Sequence, residues 1–302
     1  MAANPSTPAR PLWQRATALA LLAVVLLVLN SLYFALAGAR SALGGPPGAV
    51  LYAAGFDAFL DEWQQYEGRL SSAIENGALT LSVDDLQSTI YSLAAPTFAD
   101  FDLTVQATPQ DGPIDNGFGV VFRLQQARQN ACDMPLVVLC DLSQIGALGV
   151  PLRLLFRPAS AAAEGYYMFL ISADGYYSVW KAQHTSAGPQ ARRVSAWIAT
   201  DLIEQGLGAT NTLRVVARGA SFQFFINGQA VPLCLPDDPA AESTYSGGIC
   251  YGTMRDTLQD DSFAAGQIGV VAQTTPTGGA GVVVSFDNLI IISPRSAPEA
   301  EA

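Results

Sequence analysis

The chain is short of positive charge. Its 302 residues include one lysine, Lys181, one histidine, His184, and 15 Lys plus Arg against 26 Asp plus Glu, a formal net charge of −11. A single lysine rules out a polybasic patch, and a surface of this sign repels phosphate backbones, so nucleic acid is not an expected partner. Acidity by itself names no other partner. Catalytic signatures are missing as well: there is no G-x-S-x-G, no H-E-x-x-H and no phosphate-cradling loop. The lone His184 lies in KAQHTSAG, a loop-like context, without the clustered Cys or His partners that a zinc site needs. No cofactor is expected. Convincing helical periodicity is absent from the body of the chain too, and no internal repeat is seen.

What is present begins with an address. Ala16 to Ala37 runs 22 residues without a charge. As a helix it would rise ~33 Å, enough to cross the hydrocarbon core of a bilayer. Arg10 and Arg15 precede it and only Arg40 follows closely. That bias predicts a short cytoplasmic tail (1–15), a single membrane-spanning helix (16–37) and an exported C-terminal body. Ala35-Leu36-Ala37 before Gly38 also fits a signal-peptide cleavage pattern, which would make the body secreted. Residues 38–49, rich in Gly and Pro, read as a linker.

Four cysteines agree with export. Cys132 and Cys140 are eight apart and Cys234 and Cys250 sixteen apart, each pair within an irregular segment, 125–150 or 232–265. Four cysteines allow three pairings. The two local ones are favoured, each stapling its own insertion.

The body, residues 50–293, reads as strands. Asn211–Val231 contains three of them: Leu213, Val215 and Ala217 share one face, and Phe222, Phe224 and Ile226 another. Gly219-Ala220 suits a type II′ turn, and Asn227-Gly228 is a strong hairpin signal. Ser71–Ser82 turns at Asn76-Gly77 and Gly165–Trp180 at Asp174-Gly175. Thr89–Leu93, Phe98–Val105, Asn116–Leu124, Leu152–Phe156 and Gly266–Gln273 add further strands, while Val194–Ile203 looks less regular, with a short helical turn from Asp201 to Glu204. Gly281–Ile292 is the most β-prone run and is expected to lie centrally with both faces covered. The total is 12–14 antiparallel strands, an all-β sandwich, followed by a Pro- and acid-rich tail (294–302) expected to be disordered.

The order of the pieces resembles the concanavalin A-like lectin/glucanase superfamily, and within it the 3-keto-disaccharide hydrolase domain related to family 16 glycoside hydrolases. The landmarks are Phe56-Asp57 with Trp63, Glu75 through Leu81, Phe101-Asp102-Leu103, Asn116 through Arg123, Asn211-Thr212-Leu213, Ile226-Asn227-Gly228, Gly266 through Gly269, and Phe286 through Leu289. The resemblance implies a jelly roll of two curved sheets, with carbohydrate commonly bound on the concave one. It does not imply activity, since many members only bind.

Glycoside hydrolysis needs two carboxyl groups held roughly 5–10 Å apart. The E-x-D-x-x-E strand that supplies them in family 16 is absent, and Glu62 and Glu67 would face opposite sides of a strand. Asp237, Asp238, Asp256, Asp260 and Asp261 could offer oxygen ligands to calcium, although a solvated acidic loop is the plainer reading. For sugar binding, Tyr166, Tyr176 and Trp180 can face outward from one hairpin, with Arg123 and Gln223 as polar neighbours. The competing reading is that these aromatics cover the sheet structurally. Three functions follow: a membrane-anchored binding module for glycan or another envelope polymer, a hydrolase with non-standard acids, or a structural, protein-interacting domain. The oligomeric state is not encoded in any feature of the sequence.

Overall fold

The computed structural model describes residues 42–58, 60, 62–125, 165–185, 188–276 and 279–295. The predicted membrane helix (16–37), Cys132 and Cys140, the strand expected at Leu152–Phe156 and the tail from 296 onward lie outside them, as do nearly all of insertion 125–150 and the side chain of His184.

The described residues form nineteen strands and no helix, arranged as a two-sheet β-sandwich. Thirteen strands have five residues or more; the other six have two or three. One sheet has nine strands. Its path is β12 (Gln229–Ala230), β11 (Ser221–Ile226), β10 (Asn211–Arg218), β5 (Phe101–Asp111), β19 (Val282–Ile292), β3 (Ala78–Val83) and β2 (Leu70–Glu75), with β1 (Val50–Ala54) on β19 and β17 (Leu258–Gln259) on β11. The other runs β4 (Thr89–Phe98), β18 (Gly266–Gln273), β6 (Gly117–Gln125), β7 (Gly165–Ser172), β8 (Tyr176–Thr185), β9 (Gly188–Ala199). Two small ladders, β13 (Leu233–Leu235) with β16 (Thr253–Arg255) and β14 (Tyr245–Ser246) with β15 (Ile249–Cys250), lie in the 232–265 insertion.

Turn chemistry sets the hairpins. Asn76 and Gly77 have φ of 53° and 78°, and Asn227 and Gly228 have 49° and 81°. Two successive positive φ values are the mark of a type I′ turn, which Asn-Gly adopts at least strain. At Gly219-Ala220 only the glycine is left-handed, as type II′ requires. Between the sheets, alternate residues fill the core: Leu79 and Leu81, Leu103 and Val105, Phe122, Tyr167 and Phe169, Phe222 and Phe224, Val284 and Phe286. The aromatic rings form a continuous cluster around Phe122, with centroids 5.4–6.2 Å from Tyr167, Phe101, Phe222 and Phe224.

Four expectations change. His184, read as a loop residue, falls in β8 opposite Pro189. β19 is central, between β5 and β3, but only one of its faces is covered: Asn288 and Ile290 are exposed and its inward residues alternate with partly exposed ones. Phe98–Val105 is not one strand; the chain turns at Ala99-Asp100 and crosses from β4 to β5. Val194–Ile203 is strand as far as Ala199, and its irregularity consists of two register shifts against β8; a turn, not a helix, follows at Asp201.

Candidate functional site

The outward face of the six-stranded sheet carries a second apolar cluster. Leu93 (β4), Val271 (β18), Val121 and Leu124 (β6), and Met168 and Leu170 (β7) are buried there, away from the main core. Tyr91, Tyr166, Trp180 and Trp197 are partly buried and pack against this bed. The alternation that aims Tyr167, Phe169 and Ile171 into the core aims Tyr166, Met168 and Leu170 outward.

Small residues let the rings lie across the strands. The tyrosines of β4 and β7 meet over the two intervening strands, with Tyr91 and Tyr166 centroids 6.0 Å apart. Trp197, on edge strand β9, reaches Gly117 on β6, where an added Cβ would sit 3.3 Å from its Cη2 and 3.2 Å from Gln273. Burial raises the Tyr166 phenol above its ordinary value, and the neighbouring Tyr91 adds to that. The Tyr66 phenol, also close to Tyr91, is raised for the same reasons in the same order.

The polar partner of Trp180 is on β9 and is held by the insertion. Arg193 lies 5.9 Å from the Trp180 ring and donates from Nε and Nη2 to Glu242, at 3.2 and 2.8 Å. Arg192 donates to the carbonyls of Pro239 and Ala241. Edge strand β9 is thereby closed by residues 239–242 rather than left open for pairing. The disulfide Cys234–Cys250 staples the same insertion, as its spacing suggested. Trp180 Nε1 is buried with no acceptor among the described residues.

The five residues singled out from the sequence do not converge. Tyr166 and Trp180 share the outward face, and Tyr176, 40% exposed, lies four residues along β8 from Trp180 at the turn. Gln223 is on β11, in the other sheet. Arg123 is 1% exposed and turned inward, with a φ of 51° at a bulge of β6. There it donates to Phe263 O and Ala99 O, both at 2.8 Å, and lies 4.8 Å from the Phe222 ring. Burial lowers its pKa, which Asp100, 3.7 Å away, partly restores. It ties loops together and does not face a ligand surface.

Sequence reasoning missed Tyr91, Trp197, Arg193 and Glu242. The alternation of β4 held a signal for Tyr91; the bulged register of β9 hid Trp197. It also missed the partner of the only lysine. Lys181, 8% exposed, donates to Asp260 Oδ2 at 2.7 Å and to Ser262, while Tyr167 donates to Asp260 Oδ1 at 2.8 Å. Burial pushes the Asp260 carboxyl up, but the bonds from Lys181, Ser262 and Tyr167 outweigh it and hold the pKa below its usual value. Asp260, one of the acids considered for calcium, is therefore committed to an ion pair, and among the described residues no three His, Cys, Asp or Glu side chains gather at one point.

The six strands of this sheet contain no Asp or Glu at all. Glu242, from the insertion, is paired with Arg193 at the edge of the aromatic face.

No protein-family model matches the sequence, and no curated protein matches it. Among solved structures the chain is similar to a carbohydrate binding module, CBM66, from Bacillus subtilis, at 13% identity and a TM-score of 0.41, over 77% of this chain and 96% of that one. A protein of unknown function with a galectin-like fold from the same organism gives 14% and 0.49, over 82% and 98%. A β-glucanase from Bacillus licheniformis gives 9% and 0.42, over 82% and 99%. Likenesses of this size carry no argument about ligand or chemistry.

Proposed function

We propose that this protein is a non-catalytic glycan-binding module, held at the outer side of a membrane by residues 16–37, that lays a polysaccharide along the aromatic rim of its six-stranded sheet. Support comes from the pairing of Tyr91, Tyr166, Trp180 and Trp197 over an apolar bed with a hydrogen-bonding pair, Arg193–Glu242, at its edge. Ring faces suit the C–H face of a pyranose, and the charged pair suits its hydroxyls. Binding is favoured over hydrolysis because two acids must flank a scissile bond, and no strand of this sheet supplies one. Membership of the 3-keto-disaccharide hydrolase branch belongs to the same reading, as a relationship of fold.

The test is isothermal titration of the full chain, kept soluble in a detergent without a sugar headgroup, against neutral oligosaccharides at up to millimolar concentration. Binding that weakens about tenfold or more in Trp180→Ala is expected, the loss typical of a central aromatic contact. Saturable binding unchanged by that substitution would remove the aromatic rim from the account. For the address, protease added to sealed cells should cut the body and spare the first 15 residues.

A further inference from the structure

A second site for the same ligand chemistry lies in the stapled insertion. An open depression there is lined by Leu235, Met254, Arg255, Asp256, Thr257 and Gln259. Its walls are braced on both sides. Cys234 pairs with Met254 and Leu235 with Thr253 in the β13–β16 ladder, which the Cys234–Cys250 disulfide closes at its root. On the other side Leu258 and Gln259 pair with Phe222 and Ser221 of β11, and the next residue, Asp260, is fixed by Lys181. A surface loop held in this way keeps its backbone in place before a ligand arrives, which lowers the entropic cost of binding.

The polar side chains around the depression are uncommitted, unlike those just outside it. Arg192, Arg193, Glu242, Asp260 and Ser262 all bond to the protein. Arg255 and Asp256 are exposed and enter no ion pair among the described residues, and the side chains of Thr257 and Gln259 make no hydrogen bond there. The set offers donors from Arg255, Thr257 and Gln259 and acceptors from Asp256, Thr257 and Gln259. Met254, 43% exposed, supplies apolar surface with Leu235. One cation and one anion balance, so the lining itself favours a ligand of neither sign. An anion would in addition meet an insertion with six acids and one base over residues 236–261.

From this geometry we infer that the depression between β16 and β17 is a subsite for a neutral, polyhydroxylated ligand: a sugar unit at a chain end or within a polymer. It shares the ligand chemistry of the outward-face reading but none of its residues.

The experiment titrates the full chain, in the same sugar-free detergent, with laminarihexaose, cellohexaose, chitohexaose and an inulin-type fructan hexamer, and with hexagalacturonate as the anionic control. The double variant Asp256→Ala/Gln259→Ala and the single variant Arg255→Met are compared with wild type and with Trp180→Ala; circular dichroism and an intact disulfide by mass confirm folding. The expected result is that a neutral hexamer binds, about fivefold or more weaker in the depression variants, with little change between 0.1 and 0.5 M salt on the order of the screening range. If a neutral hexamer binds and Trp180→Ala weakens it while the depression variants stay within about twofold, the inference is overturned and the outward-face reading stands. Loss in the depression variants alone would leave the inference standing and remove the outward face. Preference for hexagalacturonate, or no binding to any probe, would overturn the inference, and the second result would take the glycan reading with it.

Discussion

The two sheets solve the same packing problem differently. In the nine-stranded sheet burial alternates, as in β3 and β11, where every second residue is buried and the others are partly exposed. Its strands carry Glu75, Asp102, Asp111 and Asp287, and the buried Asp102 pairs with the half-exposed Arg214 in two 2.6 Å contacts. In the six-stranded sheet β6 and β7 are buried at nearly every position, and no acid occurs in any strand. One sheet therefore has a solvent face made of hydrogen-bonding side chains; the other has a second apolar layer edged with rings. Where a sheet buries both faces of its inner strands, a charge among them needs a partner, and Lys181, 8% exposed, finds Asp260.

The contrast can be broken most directly at its ion pairs. Asp260→Asn leaves Lys181 buried without its counter-charge and is expected to cost about 3–5 kcal/mol in urea unfolding. Asp102→Asn removes a buried carboxylate (8% exposed), but its partner Arg214 is 38% exposed and keeps access to water, so the loss should be smaller, about 1.5–3 kcal/mol. Equal losses would erase the distinction. Next in size, Leu170→Ala on the outward face of the six-stranded sheet should cost about 2–5 kcal/mol. Ile290→Ala, on the outward face of β19 and 44% exposed, should cost under about 1 kcal/mol. Replacing Cys234 and Cys250 by alanine opens a loop of 16 residues and should cost about 3 kcal/mol by loop entropy. Amide exchange should then rise along β9, which the insertion covers, and stay unchanged in β3 and β19. The smallest effect is in acid. Because the Asp260 pKa is depressed in the folded protein, its stabilisation is present above the unfolded value of about 3.9 and lost as pH falls below it. The stability gap between wild type and Asp260→Asn should hold from pH 7 to 5 and narrow below about pH 4.

What the sequence disclosed follows from distance along the chain. Asn76-Gly77, Asn227-Gly228 and Gly219-Ala220 each act on two residues, and the strands beside them were legible from alternation. The Cys234–Cys250 pair was legible because both ends lie in one insertion. Lys181 and Asp260 are 79 residues apart, and only strand order brings them together. Arg123, offered as a polar neighbour of the aromatics, is turned inward by the β6 bulge and its positive φ, which nothing in the local sequence marks. β19 was misjudged through composition, since a run of Val and Ile is compatible with a central strand whose outer side chains stay half in water.

The position of β19 has a consequence for biosynthesis. It is the last of the described strands in chain order, yet it sits between β5 and β3 and holds β1 along Val50–Ala54. Until β19 has been made, those three earlier strands lack a hydrogen-bonding neighbour, so the nine-stranded layer cannot close on a nascent chain that stops short of Val282. Any message truncated before Val282 therefore yields a product with open strand edges that invite aggregation.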